Sequence, residues 1–226
     1  MDFEGEDPIE FGNTCAFLDM LYGDCKQSDG ALVFIKAERN GIDGIFAVGS
    51  GSDLVEAAKH VTGKRGMYFK VNLMDFEKMQ ARSNGFRKNI VGSSKDVKSI
   101  ISMHLDVDAG KDGKYLTREH ALWAIKQMPL APTLIINSKG EDGGFHVYWK
   151  LRKPVRIRSE DHRKEITEIS KGWNEKLKTL CKGYLDNTSN IDRMLRVGGG
   201  RRINGEKVTG EFYDWENLYT LEDFRA

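Results

Sequence analysis

Asp106 and Asp108 stand one residue apart at the end of the apolar stretch SIISMHLDVD, and glycines and lysines follow at once in AGKDGK. Alternation along a strand puts His104, Asp106 and Asp108 on one face and Ile101, Met103, Leu105 and Val107 on the other, an apolar core face. Two carboxylates held that close repel each other unless cations lie between them. Divalent ions held by such a pair can activate an attacking oxygen and steady a leaving one in phosphoryl transfer. Taken alone, the pair is equally consistent with a solvated strand end. An EF-hand register starting at Asp108 aligns Asp112, Gly113 and Glu119. It fails because it sets ligandless Gly110 at the third position and a strand where a helix belongs.

Two further stretches carry groups of the same chemical kind. In GGFHVYWKL, Phe145, Val147 and Trp149 share a core face, while His146, Tyr148 and Lys150 share the other. His146 follows Gly143 and Gly144, where backbone can come close to a ligand. Ser138 and Lys139 precede the turn with a hydroxyl and an ammonium suited to phosphate oxygens. Later, YLDNTSNIDRMLRVGGGRRIN sets Arg193 and Arg196 three apart, on one helix face or flanking one turn, beside a glycine run. The two arginines make a cationic platform of triphosphate size, and Asp186 or Asp192 could add a third carboxylate. The same arginines could instead pair with Asp192 and Glu160 in a surface network.

The elements that must position these groups are legible from patterning. A helix is expected over 14–21, then strands in ALVFIKA and GIFAVGS separated by the turn ERNGID. SDLVEAAKHV reads as a helix capped by Ser52 or Asp53. GMYFKVNL is a strand, and 80–96 is a long polar loop. The aspartate strand is followed by a helix near 117–128, strands in TLIINS and GFHVYWKL, a long helix over 159–181, and a last strand in GEFYDW. Hairpins mixed with crossovers imply an α/β or α+β fold in two lobes, the second built around the aspartate strand. FAVGSGSDL follows a strand and opens a helix, but Leu54 occupies the third glycine position of a dinucleotide-binding turn, so a capped βα turn is the better reading.

The 226 residues carry 35 Lys and Arg against 34 Asp and Glu, so the net charge of +1 excludes a wholly basic coating for a polyanion. The charge is unevenly distributed. Residues 1–30 hold eight acids and one base, 150–164 seven bases and two acids, and 193–207 five bases and one acid. Basic segments inside a neutral chain suit a confined anionic ligand. Three cysteines without a CxxC pair indicate neither a disulfide framework nor a zinc knuckle. No apolar run approaches the roughly 20 residues needed to span a bilayer, and the acidic start is not a signal peptide. A soluble protein of a reducing, cytoplasmic interior is expected, with no membrane partner.

The paired aspartates, the strand histidine and the aspartate–arginine–glycine stretch, in this order, resemble the archaeo-eukaryotic primase superfamily. The likeness is to its primase-polymerase branch, found with plasmids, phages and other mobile elements of bacterial and archaeal cells. The matching stretches are LDVD, NSKGEDGGFHVYWKL and DNTSNIDRMLRVGGGRRING, and RGMYFKVN and RSNGFRKN are similar to the segments that precede the aspartates. The resemblance runs from about Ala16 to the end of the chain.

It implies a two-lobed catalytic core: an N-terminal α/β lobe over 1–95 and an RRM-like lobe over 96–226 whose mixed or antiparallel sheet carries the site. It further implies that Asp106, Asp108 and Asp186, with Asp192 as the fallback, hold two Mg²⁺ or Mn²⁺ ions. His146, Ser138 and Lys139 would contact an incoming dNTP or NTP, and Arg193 and Arg196 the nucleotide or template. Arg82, Lys88, Arg201 and Arg202 are further nucleotide or template candidates. The implied activity is template-directed DNA primase-polymerase synthesis, on single-stranded DNA with or without a primer. Tyr148 and Trp173 are the expected stacking groups and Trp149 a core residue.

Members of the branch continue into a helical or helicase-like region, which joins the expected partners. This chain departs from them at RVGGGRRIN, which lacks their proline-glycine-threonine turn and its hydroxyl, and it shows no zinc module. Two other readings stand beside this one. A nucleotide-sugar glycosyltransferase also uses a DxD pair, and a non-catalytic single-strand-binding module could share the fold.

Overall fold

The structure, a computed structural model, describes residues 8–38, 41–83, 91–110, 114–139, 143–182 and 184–225. Helix α1 (Pro8–Tyr22) leads into the hairpin of β1 (Ala31–Lys36) and β2 (Gly41–Ala47), and α2 (Gly51–Val61) follows. Ser50 caps α2, not Ser52 or Asp53 as expected. Its Oγ accepts from the Asp53 amide at 3.2 Å while the Asp53 carboxylate accepts from the Ser50 amide at 3.1 Å. Asp53 thus serves as the third residue of a capping box. Then come β3 (Met67–Lys70), β4 (Leu73–Met74), α3 (Phe76–Ser83) and β5 (Val97–Val107). The second half adds α4 (Arg118–Lys126), β6 (Leu134–Asn137), β7 (Phe145–Arg156), α5 (Glu160–Leu180), β8 (Met194–Arg196) and β9 (Thr209–Tyr213).

The strands form one sheet in the order β8-β3-β1-β4-β5-β7-β6-β9, with β2 against β1, and every pairing of these strands is antiparallel. The fold is therefore mixed α/β around a large antiparallel sheet, and the sheet runs without a break across position 95. No helix of the described residues is long and apolar enough to cross a membrane.

The face assignment of β5 needs correction. The register with β7 slips between Ile100 and Ser102, and this bulge reverses the alternation. Ile100, Met103, Leu105 and Val107 join one apolar cluster with Val147, Trp149 and Trp173, whereas Ile101 joins the other, with Leu134, Ile136, Tyr148 and residues of α1 and α2. The face carrying the acids is not open along its length either, since Ser102 and His104 are buried. Only its end, at Asp106, reaches solvent.

Burial also overturns the expected stacking groups. Tyr148 and Trp173 are both core residues, as is Trp149, whose core position was expected. Trp149 Nε1 donates to the Leu130 carbonyl at 2.9 Å, but the Tyr148 hydroxyl is buried without a hydrogen-bond partner among the described residues. A buried, unpaired hydroxyl destabilises. Tyr148→Phe is expected to leave stability unchanged or raise it by about 1 kcal/mol in urea unfolding. A loss of that size would reveal a partner for the hydroxyl.

Candidate active site

Strand β4 meets β5 only at Leu73–Ser99 and Met74–Val97. Beyond that point the exposed edge of β5 needs other partners for its amides. Asn72 supplies one: its Oδ1 accepts from the Ile101 amide at 2.8 Å, at the bulge, while its Nδ2 donates to the Ile191 carbonyl at 3.0 Å. Thr188 Oγ1 accepts from the Asp106 amide at 3.2 Å, and His104 Nε2 lies 3.3 Å from the Asn190 carbonyl oxygen. Residues 188–191 thus run antiparallel beside β5. They are tethered from behind by α5, where Asn174 Oδ1 accepts from the Thr188 amide at 3.1 Å and Ser170 Oγ donates to the Ser189 carbonyl at 2.7 Å. The chain then enters β8, which pairs with β3.

A cavity of about 490 Å³ opens between β3, the β5–β7 pair and this crossing segment. Asp106 and His146 are direct cross-strand partners. Both line the cavity, together with Asp108, Asp192, Lys139, Arg193 and Arg196. Tyr68 and Lys70 enter from β3. Arg193 donates to Asp106 Oδ2 at 2.8 Å, and His146 Nε2 is 3.7 Å from Asp106 Oδ1. Lys139 pairs with Asp108. Lys70, almost fully buried, donates to the Asp192 carbonyl at 2.7 Å and sits 3.5 Å from its carboxylate.

Burial works against ionisation of Asp106, yet His146 and Arg193 hold its carboxyl below the usual range. Burial pushes His146 down to about 4, so this ring is neutral at pH 7 and Arg193 is the working counter-charge. His104 is likewise pushed down to about 4 by burial. Between about pH 4 and 6.5 the unfolded chain binds protons that these two imidazoles refuse, so stability falls as pH falls through that window. The loss should reach roughly 3 kcal/mol per histidine, read by urea unfolding at pH 7 and pH 4.5. His104→Gln should flatten the profile, and an equal slope in the variant would count against this origin.

The other expected site residues fall as follows. Ser138 is buried and does not line the cavity; its amide donates to the Gly144 carbonyl at 2.9 Å, and its Oγ has no hydrogen-bond partner among the described residues. Asp186 is exposed and lies outside the cavity lining, accepting from Tyr115 Oη at 2.8 Å. The charges of Asp108 and Asp186 both act on Tyr115. Arg193 immediately precedes β8 and Arg196 is its last residue, so neither lies on a helix, because β8 completes the sheet edge beside β3. The Arg196 guanidinium rests over the Tyr68 ring, 5.3 Å from its centroid.

The backbone of Arg201 forms isolated β-bridges with Arg65 and Lys207, and Arg202 pairs with Glu206 through its side chain; neither lines the cavity. Arg82 belongs to α3, but its side chain lies outside the described residues, as does the whole of Lys88. The glycine run packs under α1: Gly199, at φ +81°, leaves no room for a side chain against the backbone of Asn13 and Thr14.

Among the residues that build the site, Tyr68, Lys70 and Asn72, all within RGMYFKVN, were not expected from the sequence, nor were Thr188, Asn190, Asn174 and Ser170. The signal for Tyr68 and Lys70 was their alternation with the apolar Met67 and Phe69 in a short strand. Arg118 was also missed. It braces the β6–β7 turn by donating to Asn137 Oδ1 at 2.6 Å, the Gly143 carbonyl at 3.1 Å and Glu211 at 2.7 Å.

No family model and no curated protein matches the chain. Its structure is similar to the archaeo-eukaryotic primase domain of the cyanophage S-2L primase-polymerase, with a TM-score of 0.55 over 95% of each chain at 17% identity. It also matches the catalytic domain of primase Repb', solved in complex with initiator DNA, with a TM-score of 0.48 at 10% identity, covering 94% of this chain and 91% of that one. At such identities the likeness is one of architecture: the chain has the fold of an archaeo-eukaryotic primase-like primase-polymerase domain.

Proposed function

We propose that this chain is a template-directed nucleotidyltransferase, a DNA primase-polymerase acting on single-stranded DNA. One observation carries the reading. A single cavity gathers Asp106, Asp108, His146, Lys139, Arg193 and Arg196 from separate segments, an acidic pair facing a set of phosphate-binding groups. Among the described residues no cluster of three or more His, Cys, Asp or Glu is placed to hold a metal ion. Mg²⁺ in polymerase-type sites is commonly held by one or two carboxylates together with substrate phosphates, so the hard oxygen donors of Asp106 and Asp108 fit Mg²⁺ or Mn²⁺ on those terms. When bound, such ions lower the pKa of an attacking hydroxyl and offset charge on the leaving pyrophosphate.

The chain's own groups supply the rest. Arg193, Arg196 and Lys139 bind and orient the triphosphate, with guanidinium forks suited to paired phosphate oxygens. Neutral His146 can donate one hydrogen bond without adding charge. Asn72, Thr188 and Asn174 keep the three segments in register, so the acids and bases approach the substrate already ordered.

The test is a single-stranded DNA template with labelled dNTPs or NTPs, with and without primer, in Mg²⁺ and in Mn²⁺. Products whose length and composition follow the template are expected. Sugar-nucleotide turnover without template dependence would replace the reading with a glycosyltransferase. Tight single-strand binding with no metal-dependent synthesis would replace it with a binding module.

A further inference from the structure

Every carboxylate that borders the cavity already holds a basic side chain. Asp106 is bonded to Arg193 at 2.8 Å, Asp108 to Lys139, and Asp192 to Lys70. The lining counts three carboxylates against four permanent cations, Arg196 being the fourth. A bare divalent ion entering this space must displace Arg193 and Lys139, then share the cavity with both. That is a repulsive arrangement in a partly desolvated site. A polyphosphate removes the conflict, since its oxygens give the two displaced cations new partners and complete the shell that two carboxylates leave open.

The side chains involved are free to make this move. Lys139 is 37% exposed and Arg193 29%, whereas Lys70 is 3% exposed and stays with Asp192.

We infer that the cavity binds its divalent ion and a nucleoside triphosphate as a coupled pair, by exchange of ion-pair partners: Lys139 leaves Asp108 and Arg193 leaves Asp106 for the phosphates as the ion takes the carboxylates. The inference rests on the nucleotidyl-transfer reading and adds to it a release step that the ion alone drives poorly. Coupling of this kind is reciprocal, so the ion must tighten nucleotide binding by the factor by which nucleotide tightens the ion.

The experiment measures Mn²⁺ binding by electron paramagnetic resonance and by calorimetry, with Mn²⁺ alone and with a dNTP analogue that is non-hydrolysable at its α,β-bridge. For the wild-type chain the analogue should tighten Mn²⁺ at least about 20-fold, within the usual range of couplings. Lys139→Met removes the cation that competes for Asp108. It should bind Mn²⁺ alone several-fold more tightly than wild type, bind the analogue more weakly, and show coupling of only a few-fold. Lys139→Arg, which keeps the charge, should restore most of the coupling, and thermal melts verify that both variants fold.

A lysine that merely touches phosphate would leave the affinity for Mn²⁺ alone unchanged, and that result would overturn the exchange. Equal Mn²⁺ affinity with and without the analogue in wild type would also overturn it, while leaving the nucleotidyl-transfer reading in place. Failure of the wild type to bind Mn²⁺ and analogue under any condition would remove both.

Discussion

Asp106→Asn and Asp108→Asn should each lower template-dependent synthesis by about 10³-fold or more, equivalent to roughly 4 kcal/mol of transition-state stabilisation. Each substitution keeps shape and hydrogen-bonding capacity but removes the charge that a divalent ion requires. The fold should tolerate both. Asp106 and Asp108 lie at the open end of β5, with side chains 21% and 24% exposed. An asparagine at 106 can still accept from Arg193, so unfolding free energies should stay within about 1 kcal/mol of wild type. Because the two acids act as a unit, the double variant should be hardly worse than either single one. The same assay tests whether a third carboxylate takes part. Asp192 borders the cavity but is paired with buried Lys70, and Asp186 is absent from the lining, so the larger loss is expected from Asp192→Asn, which also leaves Lys70 without its carboxylate partner. Activity within tenfold of wild type in either Asp106→Asn or Asp108→Asn would sink the proposed chemistry.

What could be read from the sequence, and what could not, divides by range. The hairpin of β1 and β2, helices α2, α4 and α5, and strands β5 to β7 were legible because periodicity and turn residues are local signals. Asp106 and His146 were legible as neighbours on one face because both alternate with apolar residues at the ends of long strands. The bulge at Ile101 was not. It coincides with a long-range contact, from Asn72 29 residues away, whose Oδ1 takes the Ile101 amide. β8 was missed because a three-residue strand has no periodicity of its own and exists only by pairing with β3. Tyr148 and Trp173 were misassigned because amphipathic aromatics read alike whether they stack on a ligand or on each other. Here Trp173 packs edge-on against Trp149, with centroids 5.5 Å apart.

Gly144 sets how closely the β6–β7 turn approaches the end of β5. A Cβ on Gly144 would land on the carbonyl oxygen of Val107 and within 2.8 Å of the Asp108 Cα. Backbone atoms cannot swing aside as the end of a side chain can, so Gly144→Ala must move the strand end that carries Asp108 or lift the β6–β7 turn that carries Lys139. The turn resists, because Arg118 bonds the Gly143 carbonyl and the Ser138 amide bonds the Gly144 carbonyl. Overpacking of this kind should cost about 1–3 kcal/mol in urea unfolding. A shift of about 1 Å at Asp108 should lower synthesis by a further 10²-fold beyond what lost stability explains. Gly172 supplies the control. It lies inside α5, and a Cβ there would meet nothing within 4 Å. Gly172→Ala should therefore raise stability by about 0.5–1 kcal/mol and leave synthesis unchanged, since the change only relieves the entropic cost of a glycine in a helix. If the two substitutions behave alike, close approach at Gly144 does not set the position of Asp108.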